Sequence, residues 1–171
     1  MKRLIVVAFL LSAVGFLPAT AQKIGHVNTQ AILEVMPEYK AALTAIDSFY
    51  KKKQDLSTKL YQEYMKKRDE FQRLVEEGLL EDDSERQLYL DELSAFEERI
   101  QKYQQSAQKE VSDKEAELSA PILEKIKNAI DAVAKENKYA YIIDNSSGIL
   151  VYFEETNDVT PLVKKKLNIT E

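Results

Sequence analysis

The sequence predicts an α+β protein in which a long antiparallel helical hairpin, the arm, projects from a small β-sheet body that mediates oligomerisation. Three observations support this fold class. Residues 38–77 contain no Gly and no Pro, as expected for one long helix. Apolar residues recur there at heptad spacing, which is typical of a coiled coil. Short stretches rich in β-branched and aromatic residues lie near both ends of the chain, and these predict strands.

The first residues predict export. Two basic residues precede an apolar run over residues 4–17, and small residues occupy positions 19–21, where signal peptidase would recognise them. We therefore expect residues 1–21 to be a signal peptide that is cleaved between Ala21 and Gln22, leaving a mature chain that begins at Gln22. The alternative is an uncleaved membrane anchor, but a membrane span requires about 20 apolar residues.

Composition excludes several classes of protein. Loss of the two basic leader residues takes the formal charge from −5 to −7. This disfavours a nucleic-acid binder, because affinity for phosphate backbones relies on clustered Lys and Arg. The chain has no Cys, so an exported fold must be stabilised by packing or oligomerisation rather than by disulfides.

The first long helix is predicted to begin at Pro37, since Pro suits the first helical position. At about 1.5 Å per residue, residues 37–77 would form a rod about 60 Å long. Seven of ten positions in its two heptad rows are apolar or aromatic, and Lys53, Ser57 and Lys67 interrupt them, which predicts a weak and flexible coil. The rows are Leu43, Tyr50, Ser57, Tyr64 and Phe71, and Ile46, Lys53, Leu60, Lys67 and Leu74.

The arm is predicted to turn at residues 78–82 and to return as a second long helix. Gly78 suits the left-handed position of a Schellman ending. Leu79 would follow it and make the hydrophobic contact with Leu74 that accompanies this ending. Asp82 or Asp83 can cap the returning helix. The returning helix repeats the heptad pattern with the rows Leu93, Ile100 and Ala107, and Tyr89, Phe96 and Tyr103.

The body is predicted from residues 22–36 and 115–171, and the arm from residues 37–114. Residues 139–144 and 149–153 are expected to form a strand hairpin, and Thr160 is expected to cap a last short helix. Both strand faces are apolar, so one should be covered by the chain's own helices and the other by further subunits of a homo-oligomer. The candidate oligomer-forming residues are Ile24, Val27, Tyr141, Ile143, Val151 and Phe153.

The residue types of catalytic and metal sites are scarce. His26 is the only histidine and there is no Cys, so a zinc site is not indicated and a structural role is the favoured interpretation of His26. The chain has neither a G-x-S-x-G motif nor a Gly-rich phosphate loop. The acidic hairpin end lacks the spacing of a calcium loop. We therefore expect no cofactor, no metal and no enzymatic activity.

The tyrosines of the arm are the candidate binding residues. Two interpretations stay open. They could fill the coiled-coil seam, or some of them could face a cavity, where a ring that buries apolar area and keeps its hydroxyl hydrated suits weak contacts with many unfolded chains. The set consists of Tyr50, Tyr61, Tyr64, Tyr89 and Tyr103.

The order of elements and the carboxyl-terminal residues carry a family resemblance. After an exported start come IGHVNTQAIL, the long hairpin, APILEKIKNAIDAVAKENKYAYIID, ILVYF and DVTPLVKKKLN. The chain thus resembles the Skp/OmpH family of periplasmic chaperones over essentially all of its mature length, with the carboxyl-terminal part as the specific portion. The resemblance implies a periplasmic trimer whose arms enclose a cavity and hold unfolded outer-membrane proteins without ATP. Family members often have basic arms, whereas this hairpin end is acidic, which disfavours contact with anionic lipid there.

Two functions are compatible with the sequence. The first is an ATP-independent holdase that prevents aggregation of outer-membrane proteins. The second is a structural adaptor whose arms dock one specific partner of the cell envelope. A tight and regular seam would favour the adaptor, and the interrupted seam observed here favours the holdase.

Overall fold

The computed structural model describes residues 22–169, so the predicted signal peptide and its cleavage site after Ala21 lie outside the described residues. Within this range the chain is mostly helical, with a two-stranded parallel sheet. The elements in order are β1 (Ile24–Val27), α1 (Thr29–Leu33), α2 (Pro37–Glu76), α3 (Asp83–Asn137), β2 (Tyr141–Asp144), a 3-10 turn (Glu155–Asn157) and α4 (Thr160–Lys166).

Helices α2 and α3 form the predicted antiparallel hairpin. They contain 40 and 55 residues, which correspond to about 60 Å and about 80 Å of helix. Pro37 occupies the first turn of α2, where its missing amide hydrogen costs nothing. Leu60 of α2 and Leu93 of α3 are buried. The prediction of a long helical hairpin on a small sheet is confirmed.

Local signals at the hairpin end act as the sequence predicts. Gly78 has a φ of +69°, and the amide of Leu79 donates to the carbonyl of Leu74 at 2.9 Å. The amide of Gly78 donates to the carbonyl of Val75 at 3.2 Å, so both hydrogen bonds of a Schellman ending are present. The Asp82 carboxylate then accepts from the Ser84 amide at 2.8 Å and caps α3.

The body is built from both ends of the chain. Strands β1 and β2 pair in parallel, with Ile24 opposite Tyr141 and His26 opposite Ile143, and the whole arm serves as the crossover between them. Helices α1 and α4 and the last turns of α3 cover one face of this pair. The buried core consists of Val27, Ile32, Met36, Ala42, Ile122, Ile126, Ala129, Val133, Val159 and Val163.

The predicted strand hairpin is wrong. Residues 145–148 form a turn, but residues 149–153 form no strand. Strand β2 pairs with β1 instead, and the far edge of β1 is taken by an isolated bridge from His26 to Asp158. The β-branched and aromatic residues at 149–153 predict a strand, but the segment has no partner strand within the described part of its own chain.

The predicted cap of the last helix is also wrong. The residue before α4 is Val159, which offers no side-chain cap. The Thr160 hydroxyl instead accepts from the Asn28 amide at 2.9 Å, and the Asp158 carboxylate accepts from the Thr160 amide at 2.8 Å. Because the Thr160 hydroxyl joins α4 to the end of β1, the free amide at the start of the helix donates to the Asp158 carboxylate instead.

Asp144 joins the end of β2 to the start of α1. Its carboxylate accepts from the Thr29 hydroxyl at 2.6 Å, from the Ser146 amide at 2.9 Å and from the Thr29 amide at 3.4 Å. Partial burial alone would raise the pKa of Asp144, but the hydrogen bonds from Thr29 and Ser146 outweigh it and lower the pKa below its ordinary value of 3.8.

The lowered pKa predicts an acid-dependent contribution to stability. The ionised form is favoured in the folded chain, so the contribution is present above the ordinary pKa of 3.8 and is lost as pH falls toward the lower folded pKa. We expect Asp144→Asn to reduce the free energy of unfolding by about 1 kcal/mol at about pH 7, and by much less at about pH 3. Urea unfolding at both pH values measures the difference.

Glu115→Gln serves as the control, because Glu115 is an exposed carboxylate of α3 with no ion pair among residues 22–169. Its effect should be small at both pH values. A cost for Asp144→Asn that is the same at both pH values would contradict the assigned role of the carboxylate.

Candidate functional site on the arm and the body

Two of the five candidate tyrosines are more than half exposed, although Tyr50 also lines the cleft between the two helices. Tyr50 is 51% exposed and Tyr61 is 55% exposed. With Leu43, which is also exposed, they span 18 residues of α2, which is five helical turns, or about 27 Å. Because seven and eleven residues are each close to whole numbers of turns, the three side chains face the same direction. They form an exposed apolar row, which we call the outer row.

The other three tyrosines are used within the hairpin. The Tyr64 hydroxyl donates to Glu97 Oε1 at 2.5 Å, and the hydrogen bond to this carboxylate, together with desolvation, raises the pKa of Tyr64. The Tyr103 hydroxyl donates to the Lys53 carbonyl at 3.1 Å. The third ring, that of Tyr89, stacks on a phenylalanine of α2 with centroids 5.7 Å apart. These side chains join the two helices, so the candidate set divides by location.

The two lysines that interrupt the predicted seam are paired across it. Lys53 contacts Glu110, and Lys67 contacts Glu92. Hydrogen bonding to these carboxylates raises the pKa of both lysines, so both stay charged at neutral pH. Solvent reaches both pairs, which limits what each contributes to stability. The seam therefore combines a few apolar contacts with ion pairs instead of a continuous apolar interface.

The seam is incompletely packed near the middle of the arm. Small side chains, Ser57 and Ala107, lie there, and a cleft of about 240 Å³ separates the helices. Tyr50, Tyr103 and Val111 line the same cleft. Loose packing of this kind removes dispersion contacts between the helices. The geometry agrees with the predicted weak coil.

On the body, one face of the strand pair is only partly covered: Phe153 packs on the buried His26 there, whereas three neighbouring side chains are exposed. Side chains alternate across a strand, so Ile142 faces the core while Tyr141 and Ile143 face outward with Ile24 of β1. The outward three are exposed. Of the candidate oligomer-forming residues, Val27 alone lies in the buried core, on the face opposite to Ile24, Tyr141 and Ile143.

The segment after β2 adds further exposed apolar surface. Val151 is fully exposed and Tyr152 is 81% exposed. Phe153 packs on the ring of His26 with centroids 4.4 Å apart. The buried His26 ring also lies 3.2 Å from the Glu154 carbonyl through Nε2, so this histidine fastens the end of the segment to β1.

One exposed apolar surface lies outside the residues predicted from the sequence. Leu79 and Leu88 at the end of the hairpin are more than half exposed and line a cleft there. The sequence indicates an acidic hairpin end, but it predicts for Leu79 only a role in closing α2. The signal for this surface in the sequence is the number of leucines beside the turn.

These features define a class of protein: a slender helical arm on a small body whose apolar face is left partly uncovered. The sequence model of the OmpH family, described as "Outer membrane protein (OmpH-like)", matches residues 23–167. The chain belongs to this family, as the sequence resemblance predicted.

The fold agrees with a solved structure. A candidate outer membrane chaperone (OmpH-like) from Caulobacter crescentus superposes with a TM-score of 0.71 at 14% sequence identity, and the match covers 90% of this chain and 88% of that one. At this identity the match establishes the fold. A comparison with curated protein sequences found no match. Among residues 22–169, none of the helices has the length and apolar character needed to cross a membrane.

Proposed function

We propose that the chain is an ATP-independent holdase of the periplasm that keeps unfolded outer-membrane proteins from aggregating. The observation that carries this proposal is the outer row of Leu43, Tyr50 and Tyr61, which is exposed along a thin, loosely packed arm. An unfolded membrane strand exposes apolar side chains and unpaired edges that would otherwise pair with other copies. Tyrosine contacts the apolar side chains while its hydroxyl stays hydrated. Contacts of this kind are weak and tolerate many sequences.

The holding site is proposed to need several arms. Single contacts with the outer row are too weak to retain a client, and arms held on one base raise the effective concentration of contacts. The exposed patch formed by Ile24, Tyr141 and Ile143 supports a shared base, because exposed apolar patches of this kind mark association surfaces. We propose a homotrimer in which the strands of the three bodies assemble into a common sheet.

Residues 149–153 are the proposed link between neighbouring bodies. The segment is rich in β-branched and aromatic residues and has no strand partner in the described chain. The outer edge of β2 is free within that same range. Addition of such a segment to a free edge satisfies backbone hydrogen bonds and buries side chains together. The body would comprise residues 22–36 and 115–171, with the arm of residues 37–114 projecting from it.

Suppression of aggregation tests the holdase. A β-barrel outer-membrane protein unfolded in urea is diluted into buffer, and light scattering is followed with and without the mature chain, in the absence of ATP. We expect one trimer per client to abolish most of the scattering. Tyr50→Ser combined with Tyr61→Ser should raise the concentration needed for half suppression by about threefold to tenfold, since two contacts per arm are lost.

The matched control changes two tyrosines of the seam. Tyr64→Phe combined with Tyr103→Phe removes the hydroxyl groups and retains the rings, so suppression should be close to that of the unmodified chain. If the unmodified trimer does not suppress aggregation, the proposed holdase function is refuted. If pull-down from an envelope extract then yielded one stoichiometric partner, the adaptor function would replace it.

A further inference from the structure

The end of the hairpin carries an apolar cleft of its own. Leu79 is 60% exposed and Leu88 is 65% exposed, while Leu80 is buried beneath them. A cleft of about 600 Å³ is lined by these leucines together with Leu74 and Tyr89. Exposed apolar groups that line a concave surface are unusual on a protein that faces only water, and such surfaces commonly bind a partner. We call this surface the tip cleft.

The charge around the tip cleft is strongly negative. Residues 69–98 contain twelve acidic residues and two basic ones, a formal charge of −10, whereas the whole chain carries −5. Both basic residues are engaged locally: Arg73 pairs with Glu77 at 2.8 Å, and Arg86 Nε donates to the Leu80 carbonyl at 2.7 Å. The part of the chain outside this range is therefore net positive, and the negative potential is concentrated at the tip.

Charge selects the partner that fits this cleft. A second copy of the tip would bring together two surfaces of the same sign, and an anionic lipid surface would be repelled in the same way. Three carboxylates line the cleft with one cation, Lys67, which pairs with Glu92. The other two, those of Glu70 and Glu85, are left for flexible Lys or Arg side chains whose apolar neighbours enter the cleft. Complementary charge of this kind favours the encounter and the register of a partner.

We propose that the tip cleft binds a cationic amphipathic segment of a partner protein, in which Lys or Arg alternates with Leu or Phe on a helix. The apolar side chains would fill the space between Leu79 and Leu88, as in other helix-in-groove complexes, and the basic side chains would reach the carboxylate rim. Each hairpin contains a complete cleft, so this site is independent of the proposed trimer and of the outer row.

The test uses a labelled helical peptide of about two heptads made of Leu and Lys, and the same peptide with Glu in place of Lys. Fluorescence anisotropy with the mature chain should show binding of the Lys peptide that weakens as salt rises to about 0.5 M. The Glu peptide and phosphatidylglycerol vesicles should not bind. Leu79→Ser combined with Leu88→Ser, and separately Glu70→Gln combined with Glu85→Gln, should each weaken binding of the Lys peptide by about tenfold.

Leu56→Ser combined with Glu115→Gln is the matched control. Leu56 is exposed on α2 and Glu115 is exposed on α3, and both lie outside the tip cleft. Peptide affinity should be unchanged in this control and in the Tyr50→Ser, Tyr61→Ser variant, which separates the tip cleft from the proposed holding surface. Equal binding of the Glu and Lys peptides, unchanged affinity in both tip variants, or binding to the vesicles would overturn the proposal.

Discussion

Val151→Asp combined with Tyr152→Ser is expected to convert the proposed trimer into monomers. Both side chains are almost wholly exposed in the single chain, so the substitutions should leave the fold of the body intact. In the assembly they would place a charge in an apolar contact, and burial of an unpaired charge is strongly unfavourable. Because each subunit carries the change, the penalty is repeated at every interface.

Native mass measures the result. The unmodified mature chain should have three times the mass of one subunit, and the double variant should have the mass of one. Loss of assembly should also abolish suppression of aggregation, because a single arm loses the effective concentration that neighbouring arms provide. Both effects are large and arise from residues far along the chain from the outer row.

Leu56→Asp is the control for this experiment. Leu56 is exposed on the arm, and the substitution introduces the same charge away from the body. It should retain the trimer. A trimeric double variant would show that residues 149–153 do not contribute to assembly. A monomeric unmodified chain at micromolar concentration would remove the proposed cage altogether.

The arm was predictable because its signals are local. Absence of Gly and Pro, heptad spacing, Gly78 at the left-handed position and Asp82 at the cap each act within a few residues. The body was less predictable. Parallel pairing of β1 with β2 joins residues separated by the whole arm, and strand propensity contains no information on which edge a strand will meet.

The candidate tyrosines show the same limit. Heptad position correctly indicates which side of the helix faces the seam, and Tyr64 and Tyr103 cross it. Tyr50 occupies a seam row as well, yet half of its surface is exposed, because small Ser57 and Ala107 leave a cleft beside it. Exposure thus depends on the residues opposite, which the periodicity of one helix does not reveal.

Gly25 illustrates a non-local constraint that the sequence could not reveal. A Cβ at this position would lie 2.9 Å from Cε1 of Tyr139 and 3.2 Å from Cγ1 of Val159. The glycine therefore permits close packing between β1 and two residues from the other end of the chain. Nothing in the neighbouring residues of β1 indicates this contact.

Ile32→Ala is expected to cause the largest loss of stability in the body. Ile32 lies in α1 and is completely buried in the core that also contains Met36, Val159 and Val163. Removal of a buried isoleucine side chain of this kind costs about 2–5 kcal/mol. The total stability of a small domain is about 5–15 kcal/mol, so a large part of it depends on this contact between the two ends of the chain.

Urea unfolding followed by circular dichroism measures the loss, at one fixed protein concentration because assembly also stabilises the folded state. Leu43→Ala is the matched control, since Leu43 is exposed on α2 and its removal should change the free energy by no more than about 0.5 kcal/mol. Equal costs for the two variants would contradict the assigned core.

The core also supports Ile142 from behind, and this residue alternates with the outward-facing Tyr141 and Ile143. Loss of Ile32 should therefore weaken the trimer as well as the body, whereas the Val151 and Tyr152 substitutions separate the subunits and leave each body folded.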